Sequence, residues 1–333
     1  MKKRNFISRL ALLLVLAMSV SAFFTACSKD KNDGTTSETV YYTVEFNTAG
    51  GNKIESMKIA SGQRISKPIP PTRENYIFVE WRYQLAPWSF EADKVTCDMT
   101  LTAHWIAADS VFLYDPIEGS GNAVITGFKN LPELSALAIP EILNGYNVTA
   151  IGDGAFAEFN SNHITSITIP ETVTSVGSYA FEDITAKLTL KGELTHIGEG
   201  AFMGCTALES IKLGNGLTAL PFSAFHGCSS LKSVIIPEGV TLISEDAFKD
   251  CSSIVTVVIP SGVTEIENSA FDGCEALKTV FFGGTEEAYD TITIDEKNEA
   301  LESASVCFYA EEKPASSGYW HFDEDGKPTL WQE

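Results

Sequence analysis

The sequence predicts a β-rich solenoid of about six coils of about 23 residues, in which short parallel strands stack from one coil to the next. Six Ala-Phe pairs recur in the second half of the chain, ending at Phe156, Phe181, Phe202, Phe225, Phe248 and Phe271. The intervals are 25, 21, 23, 23 and 23 residues, and four cysteines keep step with the last four pairs: Cys205, Cys228, Cys251 and Cys274. A repeat of this length is one supersecondary unit that buries its apolar face only against its neighbours.

The N-terminal segment, residues 1–26, predicts export. It begins with four basic residues and continues as an apolar stretch from Leu10 to Ala26, which is the layout of a secretory signal peptide. An apolar stretch of this length also lies at the short limit for a membrane span, so simple secretion and a retained helical anchor are the alternatives to a lipid anchor. The tetrapeptide FTAC, which ends at Cys27, resembles a bacterial lipobox. The resemblance implies that Cys27 is acylated and that the lipid holds the mature chain at a membrane.

The charge of the mature chain excludes some partners. The chain has 44 acidic and 23 basic residues, and residues 1–26 contain four of the basic and none of the acidic ones. The remainder therefore carries 44 acids against 19 bases, a net charge of −25. Nucleic acid and anionic lipid headgroups are not expected as direct partners, because both are recognised by basic surfaces. Membrane attachment is expected through the lipid on Cys27 instead.

The seven cysteines do not predict a disulfide framework. Four of them occupy the same place in successive repeats, so they are expected to stack along one line of the solenoid as small buried apolar residues. Cys97 and Cys307 are isolated in the sequence, and no CxxC pair occurs. A metal site is therefore not expected.

Residues 27–40 and 41–107 differ sharply in character. After Cys27 the chain is polar as far as residue 40 and predicts a flexible tether. Apolar and polar residues alternate in YYTVEFN, YIFVEWRY and MTLTAHW, which predicts strands. The glycine pair after YYTVEFNTA, the run KPIPPTRENYIFVEW and the closing TLTAHW resemble the Listeria–Bacteroides repeat. This resemblance implies a small β-grasp-like domain of the kind found on bacterial surface proteins.

Residues 108–310 contain the repeats. Three successive units read LESIKLGNGLTALPFSAFHGC, LKSVIIPEGVTLISEDAFKDC and IVTVVIPSGVTEIENSAFDGC. Each predicts a strand, a turn, a second extended piece and a compact Ala-Phe segment, with Ile197, Leu220, Ile243 and Ile266 forming one inner apolar column. The pattern resembles the BspA-like leucine-rich repeat. The resemblance implies a leucine-rich-repeat solenoid, and the departure from the period after Phe281 predicts a closing cap.

One column of strand residues is a candidate binding face. In each repeat the residue between the last two apolar positions of the strand is expected to point away from the core. Along the stack this outward column contains Thr168, Thr189, Lys212, Ile235, Val258 and Phe281. The change from polar to apolar predicts an exposed binding face at Lys212, Ile235, Val258 and Phe281. The alternative is that these residues reflect strand propensity alone.

No reaction centre is apparent in the sequence. The motifs GxSxG, HExxH and GxxxxGK are absent, and the five histidines are scattered without a paired nucleophile. No catalytic residue, cofactor or metal ligand is therefore predicted, and the protein is not expected to be an enzyme.

The C-terminal tail, residues 311–333, contains the aromatic segment GYWHFDEDGKPTLW. Its acidic DEDG part predicts a hairpin turn between aromatic strands, because the later ligands of a calcium loop are missing. The segment also resembles one copy of the aromatic cell-wall-binding repeats of surface proteins. A structural end-piece and a glycan contact are the two interpretations.

Together with the lipobox, the two repeat resemblances imply a lipid-anchored protein of the cell surface or outer envelope. It is expected to bind an extracellular protein or glycan through its solenoid, in adhesion or in host or matrix interaction. The alternative function is a structural, envelope-organising lipoprotein that binds cell-wall polysaccharide, for which the aromatic tail would be the contact.

Overall fold

The computed structural model of the protein describes residues 39–130, 134–157 and 163–331. The signal peptide, Cys27 and most of the tether lie outside the described residues. The described chain forms two compact units: the first extends to Pro71 and includes Glu80–His104, and the second comprises Thr72–Val79 and the chain from Trp105 onwards.

The N-terminal region contains a five-stranded sheet. Its strands are β1 (Tyr41–Asn47), β2 (Met57–Ala60), β3 (Tyr76–Tyr83), β4 (Ala86–Pro87) and β5 (Met99–Ala107), in the order β2-β1-β5-β3-β4. Strand β1 pairs antiparallel with β2 and parallel with β5. Trp81 is buried, and its ring meets the Phe46 ring edge-on at a centroid distance of 5.0 Å. The alternation of apolar and polar residues thus produces strands with one buried face.

An antiparallel hairpin begins the solenoid. A short 3-10 helix (Ala108–Ser110) precedes β6 (Phe112–Ile117) and β7 (Asn122–Phe128), which pair antiparallel. Strand β7 then pairs parallel with β10 (Tyr146–Ile151), the first strand of the inner row described below. The short strand β9 (Ile142–Leu143) is joined to β10 by Asn144-Gly145, both with positive φ, as a two-residue hairpin turn requires.

Two rows of short parallel strands form the body of the solenoid. The outer row comprises β8 (Ala136–Ala138), β11 (Ser166–Ile169), β13 (Lys187–Leu190), β16 (Ser233–Ile235), β18 (Thr256–Ile259), β20 (Thr279–Phe282) and β22 (Ser305–Tyr309). The inner row consists of two sheets: the first runs from β10 through β12 (Ser175–Val176) to β14 (His196–Ile197), and the second comprises β15 (Ala219–Leu220), β17 (Leu242–Ile243), β19 (Glu265–Ile266) and β21 (Thr293–Ile294). The outer row is interrupted between β13 and β16, where Leu213 forms an isolated parallel bridge with Leu194, a residue that follows β13. The β-rich solenoid of stacked parallel strands predicted from the sequence is confirmed.

The C-terminal segment closes the stack. Helices α1 (Glu286–Tyr289) and α2 (Glu299–Glu302) are one turn each, and Thr285 caps α1 by accepting a hydrogen bond from the Ala288 N–H. The last strands, β23 (Tyr319–Phe322) and β24 (Pro328–Leu330), extend the outer row. Strand β23 pairs parallel with β22, and β24 pairs antiparallel with β23.

A ladder of phenylalanine rings forms the centre of the core. Each of the six ladder phenylalanines is fully buried. From Phe181 to Phe271 successive rings stack with centroid distances of 5.3–5.6 Å and interplanar angles of 4–21°. The backbone reinforces the stack, since the Phe225 N–H donates to the carbonyl of Ala247 in the next coil. The predicted inner column is likewise buried at Leu220, Ile243 and Ile266, with Ile197 partly buried.

A second ladder consists of free thiols. The four repeat cysteines are buried and unpaired, as their spacing predicts. Each Sγ donates to the carbonyl of a phenylalanine in the preceding coil, for example Cys228 to Phe202 at 3.2 Å and Cys251 to Phe225 at 3.1 Å. Burial raises the pKa of the Cys205 thiol to about 12 and also raises the pKa of Cys274. The Cys205 and Cys274 thiols therefore remain protonated at neutral pH and act as packing groups.

Asn298 terminates the phenylalanine ladder. In the preceding coils a ladder N–H donates to an alanine carbonyl of the next coil, but the coil of Phe271 is the last with an Ala-Phe pair. The Oδ1 atom of Asn298 accepts from the Phe271 N–H at 3.0 Å, and its Nδ2 atom donates to the carbonyls of Glu267 and Asp295, each at 3.0 Å. The side chain is 1% exposed. One buried amide thus replaces the backbone of a missing coil.

We expect Asn298→Ala to lower the free energy of unfolding by about 2–3 kcal/mol, because it leaves a buried N–H and buried carbonyls without partners. Asn268→Ala is the matched control, since the Asn268 amide makes a single 3.4 Å contact with the exposed Glu245 carboxylate; its cost should stay below about 1 kcal/mol. Urea denaturation followed by circular dichroism measures both. Equal costs for the two variants would contradict the capping role.

Candidate binding face

The outer strand row presents the face that the sequence singled out. Ile167 and Ile169 are buried in the core, whereas Thr168 between them lies on the opposite side of the strand. The same alternation holds further along the stack, where Thr189 and Lys212 are exposed and Ile235 is 43% exposed. The outward direction predicted for this column is therefore confirmed for these coils.

The expectation of an exposed apolar end is wrong for Val258 and Phe281. Each is 5% exposed, although neither belongs to the main core. They form a separate small cluster with Cys307 and Trp320 on the outer side of the sheet. The candidate face is thus open at Lys212 and Ile235 and covered at Val258 and Phe281.

Trp320 is the residue that covers this end. Strand β23 places it on the outer side of the sheet, where its ring lies 5.4 Å from the Phe281 ring and its Nε1 atom donates to the Phe282 carbonyl at 2.8 Å. Only 1% of Trp320 is exposed. The C-terminal tail therefore serves as a structural end-piece, the first of the two interpretations drawn from its sequence.

The acidic part of the tail forms the turn between β23 and β24. One carboxylate oxygen of Asp323 accepts from the N–H groups of Asp325 and Lys327, at 3.0 and 2.8 Å. These bonds, chiefly the one from Lys327, lower the pKa of Asp323. The carboxylate is thus used within the hairpin, as the hairpin interpretation predicts.

Two aromatic rings remain accessible around Trp320. Tyr309 is 41% exposed and Phe322 is 42% exposed, and both contact the Trp320 ring edge-on, at 5.3 and 4.9 Å. The outer side of the sheet thus ends in a covered apolar cluster with a half-exposed aromatic rim.

The histidines do not assemble a reaction centre in the described part of the chain. His226 lies 3.3 Å from the exposed Asp250 carboxylate, and His104 lies 3.6 Å from Glu80. The Nδ1 atom of His196 lies 3.0 Å from the hydroxyl of the adjacent Thr195. Residues 39–130, 134–157 and 163–331 contain no group of three or more His, Cys, Asp or Glu side chains that could hold a metal ion.

The repeats match a known class. Residues 127–220 and 149–278 match the BspA type leucine-rich repeat region, in six copies. The solenoid is a BspA-type leucine-rich repeat region. Residues 42–104 match the Listeria-Bacteroides repeat domain, which confirms the second resemblance. Both matches fall where the strand patterns predicted them.

Solved structures of bacterial leucine-rich repeat proteins are similar to this chain. A leucine-rich repeat protein of T. pallidum is 24% identical, covering 56% of this chain and 83% of that one, with a TM-score of 0.47. One from Eubacterium ventriosum is 20% identical, covering 69% and 57%, with a TM-score of 0.42. A leucine-rich cell surface protein of Faecalibacterium prausnitzii is 20% identical over 56% of this chain and 96% of that one, with a TM-score of 0.23.

Two similar proteins come from Evansella cellulosilytica. One, provisionally named a Gly-rich membrane protein, is 36% identical over 67 residues, which is 19% of this chain and 8% of the relative. The other, provisionally named a membrane protein, is 34% identical over 99 residues, or 28% of this chain and 14% of the relative. The chain therefore spans a small part of the length of these relatives. Within the described ranges, no helix of this protein is long and apolar enough to cross a membrane.

The sequence interpretation missed Trp320 as a structural residue of the binding face. The available signal was the alternation in YWHF after Gly318, which places Trp320 and Phe322 on one side of a strand. That signal did not show which neighbour the strand would pair with.

We expect Trp320→Ala to expose Val258 and Phe281, to increase binding of the dye ANS, and to lower the free energy of unfolding by about 3–5 kcal/mol. Trp320→Phe retains a ring over the cluster and loses the hydrogen bond to the Phe282 carbonyl, so it should cost about 1 kcal/mol and leave ANS binding low. If Trp320→Ala bound no more ANS than the wild type, the covering role would be wrong.

Proposed function

We propose that this chain is a lipid-anchored bacterial cell-surface protein that binds an extracellular protein or glycan through the outer strand face of its solenoid, without catalysis. The observation that supports this proposal is the open outer face between β11 and β16. There Thr168 and Thr189 project away from the core on one sheet of the outer row, Ile235 projects from the next sheet, and Lys212 is exposed in the segment between them.

The packing role of the aromatic and thiol side chains supports the same proposal, because it leaves the outer face as the surface available to a partner. The aromatic and thiol ladders lie in the core, and Trp320 lies in the end cluster. Leucine-rich repeat proteins are generally binding proteins, and the repeats of this chain match the BspA type. A rigid array of similar coils suits contact with an extended partner, because many weak contacts add to a strong attachment.

The alternative function, an envelope-organising lipoprotein, depended on the aromatic tail as the contact for cell-wall polysaccharide. Trp320 is buried in the end cluster, so the tail carries little free aromatic surface beyond its rim. The outer face of the repeats is therefore the better candidate for contact with any partner.

Adhesion of beads tests the binding face. Beads coated with the full-length protein would be overlaid on a fixed epithelial monolayer and on purified bacterial cell walls. The pair Thr189→Glu and Ile235→Glu should abolish attachment, because both side chains project from the outer face. The control pair Thr218→Glu and Phe222→Glu changes one threonine and one 40% exposed apolar residue outside the outer row and should attach as the wild type does. The proposal would be overturned if beads carrying the Thr189→Glu and Ile235→Glu variant still attached. It would also be overturned if wild-type beads attached to neither surface.

Cell fractionation tests the anchor. Cys27→Ser removes the thiol that would be acylated, so the protein should move from the membrane fraction to the medium or periplasm. The matched control is Ser28→Ala, which changes the adjacent residue and should leave the protein with the membrane. Membrane retention of Cys27→Ser with residues 1–26 still attached would instead support a helical anchor.

A further inference from the structure

The outer strand face differs in charge from the rest of the solenoid. Residues 108–310 contain 28 acidic residues, eight lysines and no arginine. Four of these lysines lie on the outer face of the strand row or at its entrance: Lys187, Lys212, Lys232 and Lys278. Among the acidic residues that the structure describes, Glu209 is the one that occupies the same stacked strand positions as these lysines. An acidic protein thus concentrates its lysines on the face that its function would use.

Backbone hydrogen bonds between coils show that these lysines are neighbours. The Lys232 N–H donates to the Glu209 carbonyl, the Val255 N–H to the Lys232 carbonyl, and the Lys278 N–H to the Val255 carbonyl. The column Glu209–Lys232–Val255–Lys278 therefore runs along the stack, with coils about 4.8 Å apart. Lys212 is exposed and follows Glu209 by three residues in the coil that precedes that of Lys232.

Most of this positive charge is unpaired. The Lys187 Nζ atom lies 3.1 Å from the Glu209 carboxylate, and this hydrogen bond, with the charges of Lys187 and Lys232, lowers the pKa of Glu209. Within the described residues, Lys212, Lys232 and Lys278 have no carboxylate within 4.0 Å. Glu171 and Glu238 lie in the turns that follow the strands, beyond the outward columns. Three exposed ammonium groups therefore remain available to an anionic partner.

The rest of the face is suited to sugars. Small hydroxyl side chains separate the lysines, for example Ser233, Thr256 and Thr279, which occupy paired positions on three adjacent strands. The half-exposed rings of Tyr309 and Phe322 border the same side of the sheet at its C-terminal end. Hydroxyl groups offer donors and acceptors to sugar hydroxyls, and an exposed ring offers an apolar surface to the C–H groups of a sugar.

We propose that the outer strand face binds an acidic polysaccharide that carries one carboxylate on each sugar, with Lys212, Lys232 and Lys278 as its charge contacts. Charge complementarity supports this class, and the spacing supports a low charge density, because each coil supplies at most one of these lysines. A glycan with several sulfates on each sugar would require more closely spaced bases. This inference rests on the proposed function and names the partner class for the same face.

Binding of polygalacturonate to the full-length protein, purified in mild detergent, tests the proposal by biolayer interferometry. The wild type should bind polygalacturonate and not dextran, and the affinity should fall at least about tenfold when NaCl is raised from about 0.05 to about 0.5 M. The triple variant Lys212→Gln, Lys232→Gln and Lys278→Gln should lose at least about tenfold in affinity. The control triple Lys129→Gln, Lys249→Gln and Lys297→Gln has the same net charge and changes lysines outside the outer columns, so its loss should remain below about twofold.

Two other probes separate the remaining possibilities. Tighter binding to polyglutamate than to polygalacturonate would overturn the glycan assignment in favour of an acidic protein, and tighter binding to heparin would overturn the assignment to singly charged sugars. Equal losses of affinity in the two triple lysine variants would show that binding depends only on net charge. That result would overturn the assignment of the site to the outer strand face. Failure to bind polygalacturonate while beads still adhere in the assay above would overturn this inference and leave the proposed function standing. Failure in both assays would overturn both.

Discussion

The contact between successive coils is the constraint on which the rest of this structure depends. A single coil has too few residues to surround its own phenylalanine ring or to satisfy its backbone N–H groups. Phe225 illustrates both needs, since its ring stacks between those of Phe202 and Phe248 and its N–H donates to the next coil. The cysteine thiols add a third link in the opposite direction, from each coil to the one before it. Every coil therefore requires a neighbour on both sides.

Both ends of the stack must satisfy this requirement without another repeat. At the N-terminal end the hairpin β6–β7 supplies Phe128, whose ring meets that of Phe156 edge-on at 4.9 Å, and Phe112 packs behind it at 5.4 Å. At the C-terminal end the Asn298 amide replaces the backbone of a coil, and β22 to β24 continue the outer row. The caps therefore use different chemistry from the repeats and carry residues that the period does not predict.

The same constraint directs function to the outer face. Because the interior is occupied by identical ladders, a change there would disturb adjacent coils, whereas an outward residue contacts little and can vary from coil to coil. The outward column shows this variation, from threonine through lysine to isoleucine and phenylalanine. The C-terminal tail then restricts which part of the outer face is accessible, because Trp320 covers its apolar end and leaves the polar, lysine-bearing coils open. A face that looked apolar in the sequence is in the folded protein mainly a charged and hydroxyl-rich one.

The sequence by itself determined the repeat, its buried rings and thiols, and the direction in which Thr189, Lys212 and Ile235 project. These features depend on local strand alternation and on contacts with an equivalent coil about 23 residues away, so they recur and are visible as a period. The turn at Asn144-Gly145 is likewise local in origin, because few residue pairs accept its backbone conformation. Only the tertiary structure decided that Trp320 covers Phe281 and that Asn298 ends the ladder. Both contacts join a repeat to a segment that is not a repeat, so they leave no periodic signal in the chain.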